Sequence, residues 1–275
     1  MLRYVKMHGL GNDYLFVYGT PPDDAPALSR RLSDRKNGIG SDGMIWITPP
    51  TREGADFGMR IFNADGSEAM MCGNGIRCLG KYVYDRSLTD KTALTIETPA
   101  GNRVLTLHPS PDNPNEISSV TVEMGNAQIG KPITLSADAH VLRVIPVSVG
   151  NPHAVVFTHD AAHYPVSVLA ALSRHPQFPD GVNAECAEII SPTVIRMRVH
   201  ERGSGITRAC GTGACAVCAA SVQCGLSPAD TPITVRLDGG DLTVTVRTDG
   251  SITMHGDAVT VSEGLADDDS PPRNH

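Results

Sequence analysis

Two stretches decide the reading of this chain. One runs Met59-Arg60-Ile61-Phe62-Asn63 and leads to Met71-Cys72-Gly73-Asn74-Gly75; the other runs Met197-Arg198-Val199-His200-Glu201 and leads to Ala209-Cys210-Gly211-Thr212-Gly213. Met197 lies 138 positions after Met59, and the same interval separates Arg60 from Arg198, Asn63 from Glu201 and Cys72 from Cys210. One unit occurs twice, and each copy offers a thiol immediately before a glycine turn. Two such thiols suit acid and base chemistry on opposite faces of a single carbon.

The repeat extends outward from these stretches. Gly11-Asn12 matches Gly150-Asn151, and each pair leads into an apolar run, Leu15-Phe16-Val17 and Ala154-Val155-Val156. Leu32-Ser33 matches Leu172-Ser173, and Thr95-Ile96 with its following Gly turn matches Thr234-Val235 with Gly239-Gly240. Two copies point to two similar lobes rather than a solenoid. Short alternating runs such as Val120-Thr121-Val122-Glu123-Met124 predict strands. Helices are predicted over 76–85 and 214–224, the second rich in Ala, nearly uncharged and stopped by Gly225. The expected fold is α+β, with two pseudo-symmetric lobes, each a β-sheet or barrel-like wrap around a central helix. The first lobe is placed at 1–125, joined by a C-terminal strand over 257–263. The second is placed at 126–256, after a linker that follows Met124-Gly125. The polar residues 264–275 are expected to be a disordered tail.

At 275 residues the chain holds one large domain or two ordinary ones. A net charge of −7 argues against an electrostatic nucleic-acid binder. No apolar run is long enough for a membrane span, and the N-terminus lacks the pattern of a signal peptide. Seven cysteines, an odd number, do not look like a disulfide framework. The expectation is a cytoplasmic protein in a reducing compartment.

Each key cysteine precedes a helix start, where unpaired N–H groups and the positive end of the macrodipole favour negative charge. The thiol pKa should therefore fall. The same N–H groups can cradle a carboxylate, with glycines allowing close approach. Such a pair can remove a proton α to a carboxylate from one face and return one to the other. Reversing the reaction exchanges the roles, which accounts for two like residues. No cofactor is evident, since there is no Walker loop and no recognisable pyridoxal-phosphate lysine, and no metal site is assigned. Cys78, Cys186, Cys215, Cys218 and Cys224 are read as ordinary small apolar residues. The spacing of Cys210, Cys215 and Cys218 also matches an iron–sulfur ligand loop, but a fourth cysteine at the expected range is missing.

At these residues the chain closely resembles the diaminopimelate epimerases. The resemblance rests on Lys6-Met7-His8-Gly9-Leu10-Gly11-Asn12-Asp13-Tyr14, Phe62-Asn63-Ala64-Asp65-Gly66-Ser67-Glu68, Met71 to Cys78, Gly150-Asn151-Pro152-His153 and Glu201-Arg202-Gly203 with Ala209 to Gly213. It covers essentially the whole chain. It implies an isomerase that works without a cofactor and interconverts LL- and meso-diaminopimelate in lysine and peptidoglycan-precursor biosynthesis. Cys72 and Cys210 then resemble the base and acid pair, and His153 and Glu201 the polar residues that assist them. Backbone N–H groups at Gly73-Asn74 and Gly211-Thr212 would hold the α-carboxylate. Asn12, Asn63, Asn151, Asn183, Glu201 and Arg202 resemble the side chains that recognise the rest of the substrate. Gly43 departs from the pattern, because some family members carry a substrate-contacting glutamine in this loop.

The expected partner is thus a small molecule, bound in a cleft between the lobes, and the resemblance implies a homodimer. The competing readings are another racemase of the superfamily, of the histidine or hydroxyproline type, and a non-catalytic iron–sulfur or ligand-binding protein. Arg202 and the asparagines favour a substrate that is both diamino and dicarboxylate.

Overall fold

The computed structural model describes residues 1–267; the remainder of the expected tail, 268–275, lies outside the described residues. The chain begins with β1 (Leu2–Gly9), β2 (Asn12–Tyr18), α1 (Ala25–Ser33), β3 (Gly43–Thr48), β4 (Phe57–Asn63), β5 (Glu68–Ala69), α2 (Gly73–Asp85), β6 (Ala93–Thr98), β7 (Gly101–Pro109) and β8 (Ile117–Asn126). It continues through β9 (Gln128–Ile129), β10 (Ile133–Ala137), β11 (His140–Ser148), β12 (Pro152–Phe157), α3 (Val166–Ser173), β13 (Asn183–Ser191), β14 (Val194–Glu201) and β15 (Gly205–Thr207). The last elements are α4 (Gly211–Gln223), β16 (Ile233–Leu237), β17 (Gly240–Val246), β18 (Ser251–Asp257) and β19 (Val259–Ala266). Two compact units result: Met1–Val122 with the returning segment from Asp257, and Glu123–Gly256.

In the first unit β1 pairs antiparallel with β2, β2 parallel with β3, and β3 antiparallel with β4. β4 then pairs antiparallel with β5 and parallel with β6, which continues antiparallel through β7 to β8. In the second unit the same pattern runs from β11 through β12, β13 and β14 to β15, then from β14 to β16 and β17 to β18. Parallel neighbours require a crossover. α1 and α3 supply the first crossover of each unit, and α2 and α4 the second. The repeated sequence is a repeated topology.

α2 and α4 are the central helices. Ile76, Leu79 and Val83 of α2 are fully buried, each contributing about 1.5–3 kcal/mol of apolar burial. α4 buries Ala214 through Ser221 almost without interruption, which its small side chains permit. A Cβ added at Gly75 would lie 2.4 Å from Ile45 Cδ1, so glycine lets the start of α2 press directly on β3. No helix among the described residues is long and apolar enough to cross a membrane.

Three details differ from the sequence reading. The central helices start at Gly73 and Gly211, three residues earlier than expected, because a cysteine takes the capping place usually held by Ser, Thr, Asp or Asn. The change of unit falls within β8, between Val122 and Glu123, rather than in the stretch after Met124-Gly125 where the linker was expected. The expected disordered tail begins too early, since β19 reaches Ala266 and pairs it with Leu2.

Candidate active site

Cys72 is the N-cap of α2, with φ −136° and ψ 114°, and its sulfur accepts the Gly75 N–H at 3.3 Å. Cys210 is the N-cap of α4, with φ −132° and ψ 110°, and its sulfur accepts the Gly213 N–H at 3.4 Å. Helix geometry leaves the first N–H groups of each helix, those of Gly73 and Asn74 and of Gly211 and Thr212, without intrahelical partners. Each thiol therefore stands beside a small anion cradle.

In the first unit, Asn12 is held between an ionic cluster and the thiol. Its Nδ2 donates to Asp42 Oδ2 at 2.8 Å, while its Oδ1 accepts from Cys72 Sγ and from Asn74 Nδ2, both at 3.4 Å. Asp42 is braced by Arg35, which also binds Asp13 at 2.7 Å, and Lys6 reaches Asp13 at 3.0 Å. Burial pulls the Asp13 carboxyl upward, but Arg35 and Lys6 outweigh it and hold it below its ordinary value. The fully buried Arg77 donates to the Gly73 carbonyl at 3.1 Å and to Asn74 Oδ1 at 3.0 Å, fixing the first turn of α2. Asn63, at the end of β4, donates to Ser67 Oγ at 3.0 Å.

Tyr14 is a residue that sequence reasoning missed. Burial first, then its hydrogen bond to Cys72 and the charge there, push its phenol well above the ordinary value. It thus stays protonated, a donor toward the Cys72 sulfur. Gly43 leaves no room for a side chain: a Cβ there would lie 2.3 Å from the Phe62 carbonyl oxygen and 3.0 Å from the Tyr14 ring.

In the second unit, His153 and Glu185 form a wholly buried pair, with Nδ1 2.6 Å from Oε1. His153 Nε2 lies 3.0 Å from Asn151 Oδ1, Asn151 Nδ2 donates to Thr212 Oγ1 at 3.2 Å, and Thr212 Oγ1 lies 3.6 Å from Cys210 Sγ. Glu201 Oε1 accepts from the Thr207 hydroxyl. Asn183 Oδ1 accepts the Arg202 backbone N–H at 2.8 Å, and the Arg202 guanidinium donates to the Asp180 carbonyl at 3.0 Å. Glu185 was also missed. Its signal is a charged residue within the otherwise uncharged stretch Val182-Asn183-Ala184-Glu185-Cys186-Ala187.

The expected fall in thiol pKa fails for Cys210. Burial above all, with the nearby Glu201 and Glu185 carboxyl groups behind it, pushes this thiol well above its ordinary value; the Thr212 hydroxyl and Gly213 N–H oppose that without overcoming it. Desolvation outweighs the helix terminus. Of the other cysteines, Cys78 is driven by burial up to about 12 and Cys186 to about 11, values that keep both as inert thiols. Cys215 and Cys218 lie buried on α4, and the described residues contain no His, Cys, Asp and Glu cluster able to hold a metal ion.

Comparison with known proteins follows the same lines. The family model for diaminopimelate epimerase matches residues 4–130 and 145–261. A diaminopimelate epimerase of Acetivibrio thermocellus is 44% identical over 284 aligned positions, covering 97% of this chain and 99% of that protein. Those of Phocaeicola vulgatus and Methanococcus maripaludis are 43% and 42% identical, covering 96% and 97% of this chain and 97% and 100% of theirs. Among solved structures, a hydroxyproline epimerase from Agrobacterium vitis superposes with a TM-score of 0.73 at 16% identity, covering 96% of this chain and 90% of that one. A predicted epimerase from Pseudomonas aeruginosa gives 0.74 at 18% identity, covering 97% and 99%. At such identities these two structures speak for the fold alone.

Proposed function

This chain belongs to the diaminopimelate epimerase family, and from that premise we propose that Cys72 and Cys210 are the two proton-transfer groups of its reaction. The protein is an isomerase, a diaminopimelate epimerase acting in lysine biosynthesis and interconverting the LL and meso isomers. One sulfur, as thiolate, takes the α-proton, and the C–H electron pair remains on carbon. The carboxylate receives that charge while the N–H groups of Gly73-Asn74 and Gly211-Thr212 hold its oxygens. The opposite thiol then gives its S–H proton to the other face and is left as thiolate. The reverse reaction exchanges the two sulfurs.

The observation that carries this reading is the matched capping of α2 and α4, which gives both sulfurs one local geometry. Asn12, Asn63, Asn151, Asn183, Glu201 and Arg202 are proposed to read the remaining polar groups of the substrate. Arg202 is suited to grip the distal carboxylate bidentately. His153 and Glu201 assist from the side of Cys210. The hydroxyproline-type alternative has only a fold likeness behind it, whereas relatives at 42–44% identity carry the diaminopimelate name.

Two further parts of the proposal concern the setting. Seven free cysteines suit a reducing cytoplasm. A homodimer is supported by Val259, Val261 and Leu265, which β19 leaves 42%, 53% and 59% exposed. Light scattering of Val261→Lys against wild type tests it, with a shift toward monomer expected.

The central test follows solvent deuterium entering the α-carbon of LL-diaminopimelate. Wild type should exchange and invert. Cys72→Ala and Cys210→Ala should remain folded and lose inversion; near-normal epimerisation by either variant would rule out the two-thiol reading.

A further inference from the structure

We propose that Glu185 is a positioning residue for the Cys210 thiol, acting through His153, Asn151 and Thr212; the proposal rests on the reading of Cys210 as a proton-transfer group. Four groups form one chain to the sulfur, and its direction follows from what each atom can do. Asn151 Nδ2 donates to Thr212 Oγ1, so Asn151 Oδ1 faces His153 Nε2. That oxygen can only accept, and Nε2 therefore carries hydrogen. The Thr212 oxygen, already accepting from Asn151, is left to point its own O–H at Cys210 Sγ. Gly213 N–H adds a second donor to the same sulfur. Every donor in the chain is thus aimed toward the thiol, where it stabilises negative charge on sulfur.

The chain is anchored at its far end by Glu185. With hydrogen on Nε2, a neutral imidazole must accept at Nδ1, and the group 2.6 Å away that can donate is Glu185 as a carboxylic acid. Its other oxygen, Oε2, is buried without a hydrogen-bond partner. A neutral carboxyl tolerates such an orphan oxygen, while an ionised one would not. The titratable groups facing Glu185 among the described residues are His153, Glu201 and Cys210. Burial, with Glu201 adding to it, raises the Glu185 carboxyl above its ordinary value against the opposing pull of His153, which agrees with the neutral form. The fit is tight: a Cβ at Gly213 would lie 2.9 Å from Glu185 Oε1 and 3.3 Å from Cys210 Sγ.

Glu185→Gln and Glu185→Leu separate this role from a merely structural one. The glutamine amide can donate to Nδ1 in the same sense as the acid, whereas leucine cannot. The readout is the pH profile of iodoacetamide alkylation at the Cys210 peptide, followed by mass spectrometry so that the other thiols do not enter, together with kcat and KM. Glu185→Leu should raise the Cys210 midpoint by about one pH unit and lower kcat about tenfold with KM changed less. Glu185→Gln should keep kcat within about threefold and leave the midpoint unraised. An unmoved midpoint in Glu185→Leu, or equal damage from both variants, overturns the proposal. If Glu185→Leu fails to fold, Thr212→Val cuts the last link instead; the same rise supports the proposal, and an unchanged midpoint overturns it. Failure of the underlying reading shows separately, as epimerisation surviving Cys210→Ala.

Discussion

Cys72 and Cys210 cap their helices with nearly the same backbone angles, φ −136° and ψ 114° against φ −132° and ψ 110°, yet their side chains meet different surroundings. Cys72 is half-buried and touches Asn12, with the Tyr14 hydroxyl donating to it. Cys210 is buried, with the carboxyl groups of Glu201 and Glu185 near it. The like geometry suits two groups that exchange roles when the reaction reverses. The unlike surroundings favour Cys210 as the protonated member before substrate binds.

Serine and alanine at position 72 should separate capping from chemistry. Serine is a favoured N-cap and alanine a poor one, a difference of about 0.5–2 kcal/mol. Cys72→Ser should therefore unfold at least as late in urea as wild type, and Cys72→Ala earlier, while both lose epimerisation. An active serine variant would show that the sulfur is needed for neither base nor acid.

Tyr14→Phe should impair the step in which Cys72 acts as thiolate. The phenol stays protonated because burial and the neighbouring Cys72 raise it well above its ordinary value, so it supplies a donor throughout the working range. Losing one hydrogen bond to a charged partner removes about 1.5–3 kcal/mol. The variant should show kcat reduced about tenfold or more with KM little changed, and the alkylation midpoint of Cys72 displaced upward. Unchanged alkylation at Cys72 would leave Tyr14 a packing residue only.

Much of this was legible in the sequence, and the gaps have physical causes. The constant interval between Cys72 and Cys210 exposes the duplication, because a repeated topology keeps its spacing. The helices start at Gly73 and Gly211, earlier than the sequence suggests, because sulfur is not a usual capping atom and Ile76 and Ala214 look like the first helical residues. The expected fall in thiol pKa fails at Cys210 because helix termini can be read from glycine turns, whereas burial and the approach of two carboxyl groups depend on tertiary packing. Tyr14 closes the stretch Lys6 to Tyr14 that carries the resemblance, and Glu185 stands two residues after Asn183. The partner of Glu185, His153, lies 32 positions away in the chain and that of Tyr14, Cys72, lies 58 away, a proximity that periodicity does not reveal.

Stability should depend on pH through Glu185 with a definite sign. Its folded pKa lies above the unfolded value of 4.5. At low pH the carboxyl is protonated in both states and its burial costs least. As pH rises past 4.5 the unfolded chain ionises first, and the folded state loses relative stability until the folded pKa is passed. Glu185→Gln has no such loss. Urea unfolding at pH 4.5 and pH 7.5 should therefore show the mutant gaining on wild type at the higher pH, and a difference independent of pH would contradict a raised Glu185.

Gly213→Ala sets two effects against each other. Alanine in a helix gains about 1 kcal/mol over glycine. The added Cβ, however, would lie 2.9 Å from Glu185 Oε1 and 3.3 Å from Cys210 Sγ. Glu185 is held to His153 at 2.6 Å and is fully buried, so it has little freedom to retreat. Overpacking of this kind costs about 1–3 kcal/mol, and strain should win. The variant should be less stable than wild type and its kcat should fall, because relief of the clash displaces either the thiol or the Glu185–His153 pair. A double-mutant cycle decides the cause. In a Glu185→Ala background the obstructing oxygen is gone, and the stability penalty of Gly213→Ala should shrink or reverse. An equal penalty in both backgrounds would place the strain at some other contact and remove the argument that Glu185 and Cys210 crowd one backbone position.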